Sequence, residues 1–413
     1  MTTDEVFTLS PSPRSNIRCR ILLPDDWNGR LVGVGNGGAG GGLNTRGLAG
    51  YAACGYATVT TDLGTAPNPR IAGCGNPDVV ADFGHRATHL MTLEAKARVA
   101  ARYGRPPKRS YFFGESTGGQ QAFSLAQRHP EDYDGIIAGV PAHSRTALHA
   151  YFLWNWQHTR DADGRPLFTP AQEQAYKAAA LAHFAGRETF PHARGRFISD
   201  PRWDAADRRA VVEGAQRLDP SITDAQAEAL RALQDGPVHA VTGKRLFDGI
   251  PPAADFAPAC SNLFLFNWVF GPDVDYRAID FAGDIDRYFA ELADDLDADD
   301  PNLDAFRARG GKMVVYSGTQ DSCVPYHATL DYYQRLVSRV GSLEETQKFC
   351  RYYLLPGRNH MGGPGVQELC GTLEAVRIWS EKGRAPAFLG VSCTEGYKVP
   401  LAPFLEAKGG TSG

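Results

Sequence analysis

A serine held between two glycines, Gly114-Glu115-Ser116-Thr117-Gly118, follows the apolar run Ser110-Tyr111-Phe112-Phe113 and precedes the small-residue segment Gly119-Gln120-Gln121-Ala122-Phe123. Where a strand turns straight into a helix, only glycine two positions either side of the central residue avoids a steric clash across the turn. The strained turn lifts the central side chain above the sheet and presents its hydroxyl to substrate. The feature therefore constrains the chain twice: it asks for a strand feeding a helix, and it puts a nucleophile-type side chain at the strand's end. With 45 glycines in the chain, the bare spacing also arises by chance. The strand before it and the helix after it give it weight.

Further apolar runs of strand type cover 30–35, 56–61, 312–316 and 351–355, each ending in a polar or glycine-rich loop. Helical stretches such as 90–103 separate them, which predicts a mostly parallel, buried sheet of α/β type. Between about Ser144 and Leu303 the texture changes to Ala-rich helical segments with Trp154, Trp156, Trp203 and Trp268 and few strand signals. The expected organisation is a catalytic core from 1–143 and 303–413 with an inserted, mainly helical lid over 144–302. The Gly-rich tail 408–413 is expected to fray.

At 413 residues, with 43% hydrophobic and 22% charged residues, the chain has ample material for a folded core. A net charge of −4 without clustered Lys and Arg argues against nucleic acid as a partner. No apolar stretch approaches the ~18 residues needed to span a bilayer, so no membrane association is expected. The start, Met1-Thr2-Thr3-Asp4-Glu5-Val6, lacks a basic and apolar leader, which makes a cytoplasmic location the expectation. Eight cysteines include no CxxC pair and are read as free thiols. The sequence carries no signal for an oligomeric state.

A serine hydroxyl needs a base to take its proton, and the base needs an acid to hold its tautomer. The chain order expected for this elbow is Ser, then Asp or Glu, then His. Asp321 follows the run 312–316 and His360 follows the run 351–355, each just past a strand end. The carboxyl ends of the strands are where open α/β sheets carry their sites. Asp331 and the acidic run Asp294–Asp300 are rival acids, read as a helix face and a solvated linker. The Thr117 amide is the expected first donor to an oxyanion, and Gly38, in the glycine-rich loop after the run 30–35, the second.

Other chemistries fit less well. The loop also reads Gly33-x-Gly35-x-x-Gly38, a dinucleotide-binding pattern with Asp62 at a tolerable distance, but further glycines follow where a helix should start. Asp295, Asp297 and Asp299 have the opening spacing of a calcium loop, yet Asp300 and Phe306 stand where glycine and glutamate are required. His85 and His89 are four apart without the glutamate of a zinc protease.

Several segments together resemble the tannase and feruloyl esterase family: Leu23-Pro24-Asp25-Asp26-Trp27-Asn28-Gly29-Arg30, Thr60-Thr61-Asp62-Leu63-Gly64, Tyr103-Gly104-Arg105-Pro106-Pro107, Tyr111 through Gly139, Phe306 through Lys312, and Pro356-Gly357-Arg358-Asn359-His360 with Gly362-Gly363-Pro364-Gly365. The resemblance implies an α/β-hydrolase core with a lid inserted between nucleophile and acid, and hydrolysis of esters of aromatic acids. It implies Ser116, Asp321 and His360 as the triad, and Gly38 and Thr117 as oxyanion donors. Two departures stand out. The family's disulfide between the residue before the serine and the residue after the histidine meets Glu115 and Met361 here, so Glu115 is expected to accept hydrogen bonds instead. The family's repeated Asp-Gly calcium motif is missing before Phe197-Ile198-Ser199-Asp200-Pro201, so no cofactor is expected.

The sequence thus reads as a serine esterase acting on a small-molecule ester of an aromatic or similarly flat acid. Glu115, Trp154, Trp156, Phe264, Phe266 and Trp268 are the expected substrate contacts. The same triad would serve an acyltransferase or lactone-forming enzyme if a bound alcohol replaced water. A non-catalytic binding protein is the remaining reading, against which the intact Ser, Asp and His argue.

Overall fold

The computed structural model describes residues 1–190, 193–393 and 398–404; the tail 408–413 lies outside the described residues. Eight strands form the main sheet: β1 (Thr2–Leu9), β2 (Ile17–Pro24), β3 (Arg30–Val34), β4 (Ala57–Thr61), β5 (Arg109–Glu115), β6 (Gly135–Gly139), β7 (Lys312–Gly318) and β8 (Cys350–Leu355). Their spatial order is β1-β2-β4-β3-β5-β6-β7-β8. From β4 to β8 every neighbouring pair is parallel, while β1 and β2 add an antiparallel edge. Three further strands, β9 (Val366–Cys370), β10 (Leu389–Cys393) and β11 (Lys398–Leu401), make a separate antiparallel sheet.

Successive residues of a strand face opposite sides, and the central strands are apolar on both. Phe112, Ile136, Met313 and Tyr352 pack on one face with Ala122, Phe123 and Ala126 of the helix Thr117–Arg128. Tyr111, Ile137, Val314 and Tyr353 pack on the other with Val376 and Trp379 of the helix Thr372–Lys382. The five runs recognised in the sequence are β3, β4, β5, β7 and β8. In the main sheet β1, β2 and β6 lie outside those runs, as do β9, β10 and β11 of the smaller one. Outer strands β1 and β2 mix exposed and buried positions, and β6, Gly-Ile-Ile-Ala-Gly, has only two large apolar residues and glycine at both ends, which blurs it into a loop.

Between β6 and β7 the described residues contain helices and no strand, only the isolated bridges Arg160–Pro166 and Val238–Arg245. Three of the helices open with reciprocal capping boxes, Thr169 with Gln172, Asp204 with Asp207 and Thr223 with Gln226, which satisfy amides that a helix start leaves unpaired. The acidic run that closes this segment is no solvated linker. Asp297 accepts from the Thr146 amide at 2.8 Å and its hydroxyl at 2.6 Å, and Asp299 pairs with Arg335 at 2.8 Å. The run thereby fastens the end of the helical segment to its beginning and to the core. Asp331 lies on the helix Tyr326–Val340, paired with Arg335 one turn on.

Because β3, β5, β7 and β8 run the same way, the loops that follow them emerge at one edge of the sheet. Those loops carry Gly38, Ser116, Asp321 and His360.

Candidate active site

Ser116 sits between β5 and the helix Thr117–Arg128 with φ 59° and ψ −117°, a conformation that costs a non-glycine residue of order 1–3 kcal/mol. Neighbouring bonds hold it there. The Ser116 amide donates to Gly139 O at 3.0 Å, and its carbonyl accepts from Ala142 and Gln120 amides at 3.1 Å each. The glycines are sterically required: a Cβ at Gly114 would lie 2.3 Å from Gly118 O, and one at Gly118 would crowd Asn36 O at 3.1 Å.

Asp321 is fully buried. One carboxylate oxygen accepts from the Cys323 and Val324 amides, both at 2.9 Å, and the other contacts His360 Nδ1 at 2.8 Å. With Nδ1 so engaged, Nε2 is the ring nitrogen left for another partner. Burial by itself would lower the pKa of the His360 ring, but the Asp321 charge and hydrogen bond outweigh it, and the ring titrates above its ordinary value. The two loops are laced together: the Gly357 amide donates to Thr319 Oγ1 at 2.7 Å and the Gln320 amide to Arg358 O at 3.1 Å.

The glycine-rich loop after β3 is anchored by Asn36. Its amide donates to Gln121 Oε1 at 2.8 Å, its side chain to Thr61 O at 2.6 Å, and its carbonyl accepts from the Gly118 amide at 2.7 Å. Gly38, with φ +57°, presents its carbonyl to Thr117 Oγ1 at 2.6 Å and to Arg145 Nη2 at 3.1 Å. The Thr117 amide is the first of its helix and has no partner within it. This loop runs on from β3 to a helix that begins only at Thr45, and Asp62 turns its Oδ1 to the Arg18 and Gly64 amides. Neither feature suits a dinucleotide, whose pyrophosphate needs a helix start directly after the strand.

Ser116 and His360 line one cavity of about 420 Å³ with Gly37, Gly38, Phe113 and Asn262. A minute side cavity of about 10 Å³, room for one water-sized group, opens by Ser116 between Arg145, His149 and Phe152. A third, of about 820 Å³, is walled by Tyr51, Tyr56, Phe113, Glu115, Arg358 and Met361. It shares Phe113, Glu115 and Met361 with the Ser116 cavity, so the two adjoin.

Glu115 does accept hydrogen bonds, from Tyr316 Oη at 2.7 Å and Arg358 Nη2 at 3.0 Å. The contact joins the residue before Ser116 to the His360 loop, while Met361 is 91% exposed. Glu115→Ala is expected to lower kcat roughly tenfold by loosening that tie, and Glu115→Gln, whose amide oxygen still accepts, to lose less; steady-state kinetics on both variants checks the order.

The five aromatics of the helical segment expected at the substrate are elsewhere. Trp154 donates to Ala232 O and packs on Phe281, Trp156 meets Tyr276, and Phe266 stacks on Tyr288. Phe264 and Trp268 close on Phe83, with Trp268 donating to Pro69 O. None of the five lines the cavities at Ser116. Packing against neighbours removes as much aromatic surface from water as lining a pocket would, so ring content could not separate the two. The residues missed in the sequence, Asn36, Tyr316, Arg145 and Asn262, are lone polar side chains without a spacing rule.

Among the described residues, His89, His129 and Glu131 offer ligand atoms within 4.8 Å of one another. The two imidazoles stack face to face at 3.7 Å and 10°, so their in-plane lone pairs run parallel instead of converging on an ion. His85 turns to Asp295 at 3.2 Å. Asp295, Asp297 and Asp299 face separate partners and form no calcium cradle.

The family model for tannase and feruloyl esterase matches residues 5–264 and 264–400. An uncharacterised esterase of Xanthomonas campestris pv. campestris is 31% identical, over 91% of this chain and 74% of the relative. A probable feruloyl esterase B-2 of Aspergillus flavus is 30% identical, over 86% and 70%. Among solved structures, feruloyl esterase B from Aspergillus oryzae superposes with a TM-score of 0.85 at 23% identity, covering 97% of this chain and 85% of that one. Tannin acyl hydrolase from Aspergillus niger superposes with 0.77 at 18% identity, covering 98% and 87%. These two share the α/β-hydrolase fold described above.

Proposed function

The chain belongs to the tannase and feruloyl esterase family and is a carboxylic-ester hydrolase; from that premise we propose that Ser116, His360 and Asp321 form its catalytic triad, acting on an ester of an aromatic or similarly flat acid. The observation that carries this reading is the 2.8 Å contact of Asp321 with His360 Nδ1, with His360 and Ser116 on the walls of one cavity.

Ser116 Oγ attacks the ester carbonyl carbon and its proton passes to His360 Nε2. Asp321 holds the Nδ1 proton and stabilises the imidazolium. The Thr117 and Gly38 amides bind the oxyanion of the tetrahedral intermediate. Collapse expels the alcohol, which takes the proton from Nε2. Water then attacks the acyl-serine, giving one proton to His360; the second collapse releases the acid and returns that proton to Ser116. The cleft of about 820 Å³ beyond Phe113, with Tyr51 and Tyr56, suits a flat ring. Segment 144–302 serves as a lid, reaching the cavity through Asn262.

Two measurements test this. A fluorophosphonate is expected to label the protein once per chain and to leave Ser116→Ala unlabelled; labelling that survives the substitution refutes the nucleophile. Gallate, ferulate and benzoate esters are expected to outrun short aliphatic aryl esters. Equal, feeble rates on all of them refute the aromatic-acid preference.

A further inference from the structure

Arg145 is only 3% exposed and, among the described residues, forms no ion pair with any carboxylate. Nearby Asp297 acts on it only through space, its carboxylate oxygens taking the Thr146 amide and hydroxyl. The position is adverse to a cation in a second way, because Arg145 is the first residue of the helix Arg145–His158, where the dipole is positive. Burial moves the guanidinium pKa down to about 10, which leaves it charged at neutral pH. Its Nε has no partner. Phe83 and Phe264 lie against its plane at 5.1 and 5.7 Å, and His149, held neutral by burial and by Arg145 itself, lies one turn on. A buried cation without a counter-ion is costly to a fold.

The two terminal nitrogens point to the compensation. Nη1 donates to Thr117 Oγ1 at 3.1 Å and Nη2 to Gly38 O at 3.1 Å, while Thr117 Oγ1 donates to the same Gly38 carbonyl at 2.6 Å. Arginine only donates and a carbonyl only accepts, so every direction in this triangle is determined. It fixes the Gly38 peptide relative to the elbow residue Thr117. The same small cavity touches Arg145, Ser116, Gly38 and Thr117. The helix starting at Thr117 points its positive end there too.

Resting on the triad reading above, we propose that Arg145 is a positioning residue for the oxyanion donors: it locks Gly38 to Thr117 and holds a positive charge with no direct ion-pair partner beside the point where the ester carbonyl becomes an oxyanion. The adjacent negative charge it lacks in the resting protein is the one that forms during the reaction. Such a residue acts on the transition state more than on bound substrate, and it lowers the stability of the fold.

Arg145→Met removes the charge at similar length, and Thr117 still satisfies Gly38 O. The variant is expected to lose about 10²-fold in kcat with KM within about threefold. An arylboronic acid, which forms an anionic tetrahedral adduct on the serine, should weaken by a similar factor, while an uncharged, unreactive ester analogue should bind as before. The melting temperature should stay level or rise. Arg145→Lys keeps the charge without the two-point contact and should fall between. Unchanged kcat in Arg145→Met, or a kcat loss that boronate affinity does not follow, overturns the proposal. A fall in melting temperature overturns its stability part, and if Arg145→Met does not fold, the same comparison of kcat with boronate affinity in Arg145→Lys decides the rest. Fluorophosphonate labelling of the wild-type protein at Ser116 is read separately, so a failure of the triad reading is not mistaken for a failure of Arg145.

Discussion

Asparagine at position 321 is expected to cut kcat by about 10⁴ while leaving the protein folded. The Asp321 carboxylate faces two kinds of partner: the Cys323 and Val324 amides on one oxygen, the His360 ring on the other. An asparagine must keep its carbonyl oxygen on the two amides, since its NH₂ would meet two donors there. The NH₂ then turns to His360 and donates to Nδ1, forcing the ring proton onto Nε2. A protonated Nε2 cannot accept from Ser116, which is the origin of the loss. The pH profile gives a second readout. Because Asp321 raises the His360 pKa, the base is protonated and inactive to a higher pH than an ordinary imidazole would be. Removing the charge should move the acid limb of kcat/KM to lower pH in Asp321→Asn. A variant within tenfold of wild type, or with an unmoved acid limb, would contradict the assigned role of Asp321.

Gly114→Ala is expected to destabilise the fold by about 3 kcal/mol or more, the upper range for overpacking. The added Cβ would meet Gly118 O at 2.3 Å, its carbonyl carbon at 2.4 Å and its Cα at 2.7 Å, all backbone atoms that no rotamer change can move. Relief requires the elbow to open, which breaks the bond from the Gly118 amide to Asn36 O and shifts Ser116. Gly50→Ala is the matched control. Gly50 lies in the helix Thr45–Ala52 with nothing within 4 Å of the added carbon, so alanine there should stabilise by roughly 0.5–1 kcal/mol. Urea unfolding of both variants separates them, and similar midpoints would remove the steric account of the elbow.

The contrast between the two glycines has a counterpart along the whole chain. A requirement local in sequence leaves a mark. Glycine at 114 and 118 around Ser116, and apolar runs ending where Asp321 and His360 begin, follow from turn sterics and strand burial within a few residues. The parallel sheet follows from the same runs, and the places of Asp321 and His360 just past two parallel strands bring both to one edge of it. Within the main sheet, the strands without such a mark are those where exposed positions interrupt the apolar pattern, as in β1 and β2, or where small residues blur it, as in β6.

Sequence alone determined the parallel core of the sheet, the family and the four loops that carry the candidate chemistry, because each depends on residue types at short, repeated spacings. Tertiary structure alone decided which side chains surround those loops. Trp154 and Trp268 went to packing; Tyr51 and Tyr56, unremarked in the chain, wall the cleft; and Arg145, an ordinary helix-start arginine by position, became a buried cation beside Gly38. Contacts between residues far apart in the chain depend on how layers pack, and packing is set by the summed shape of many side chains, which no local spacing records.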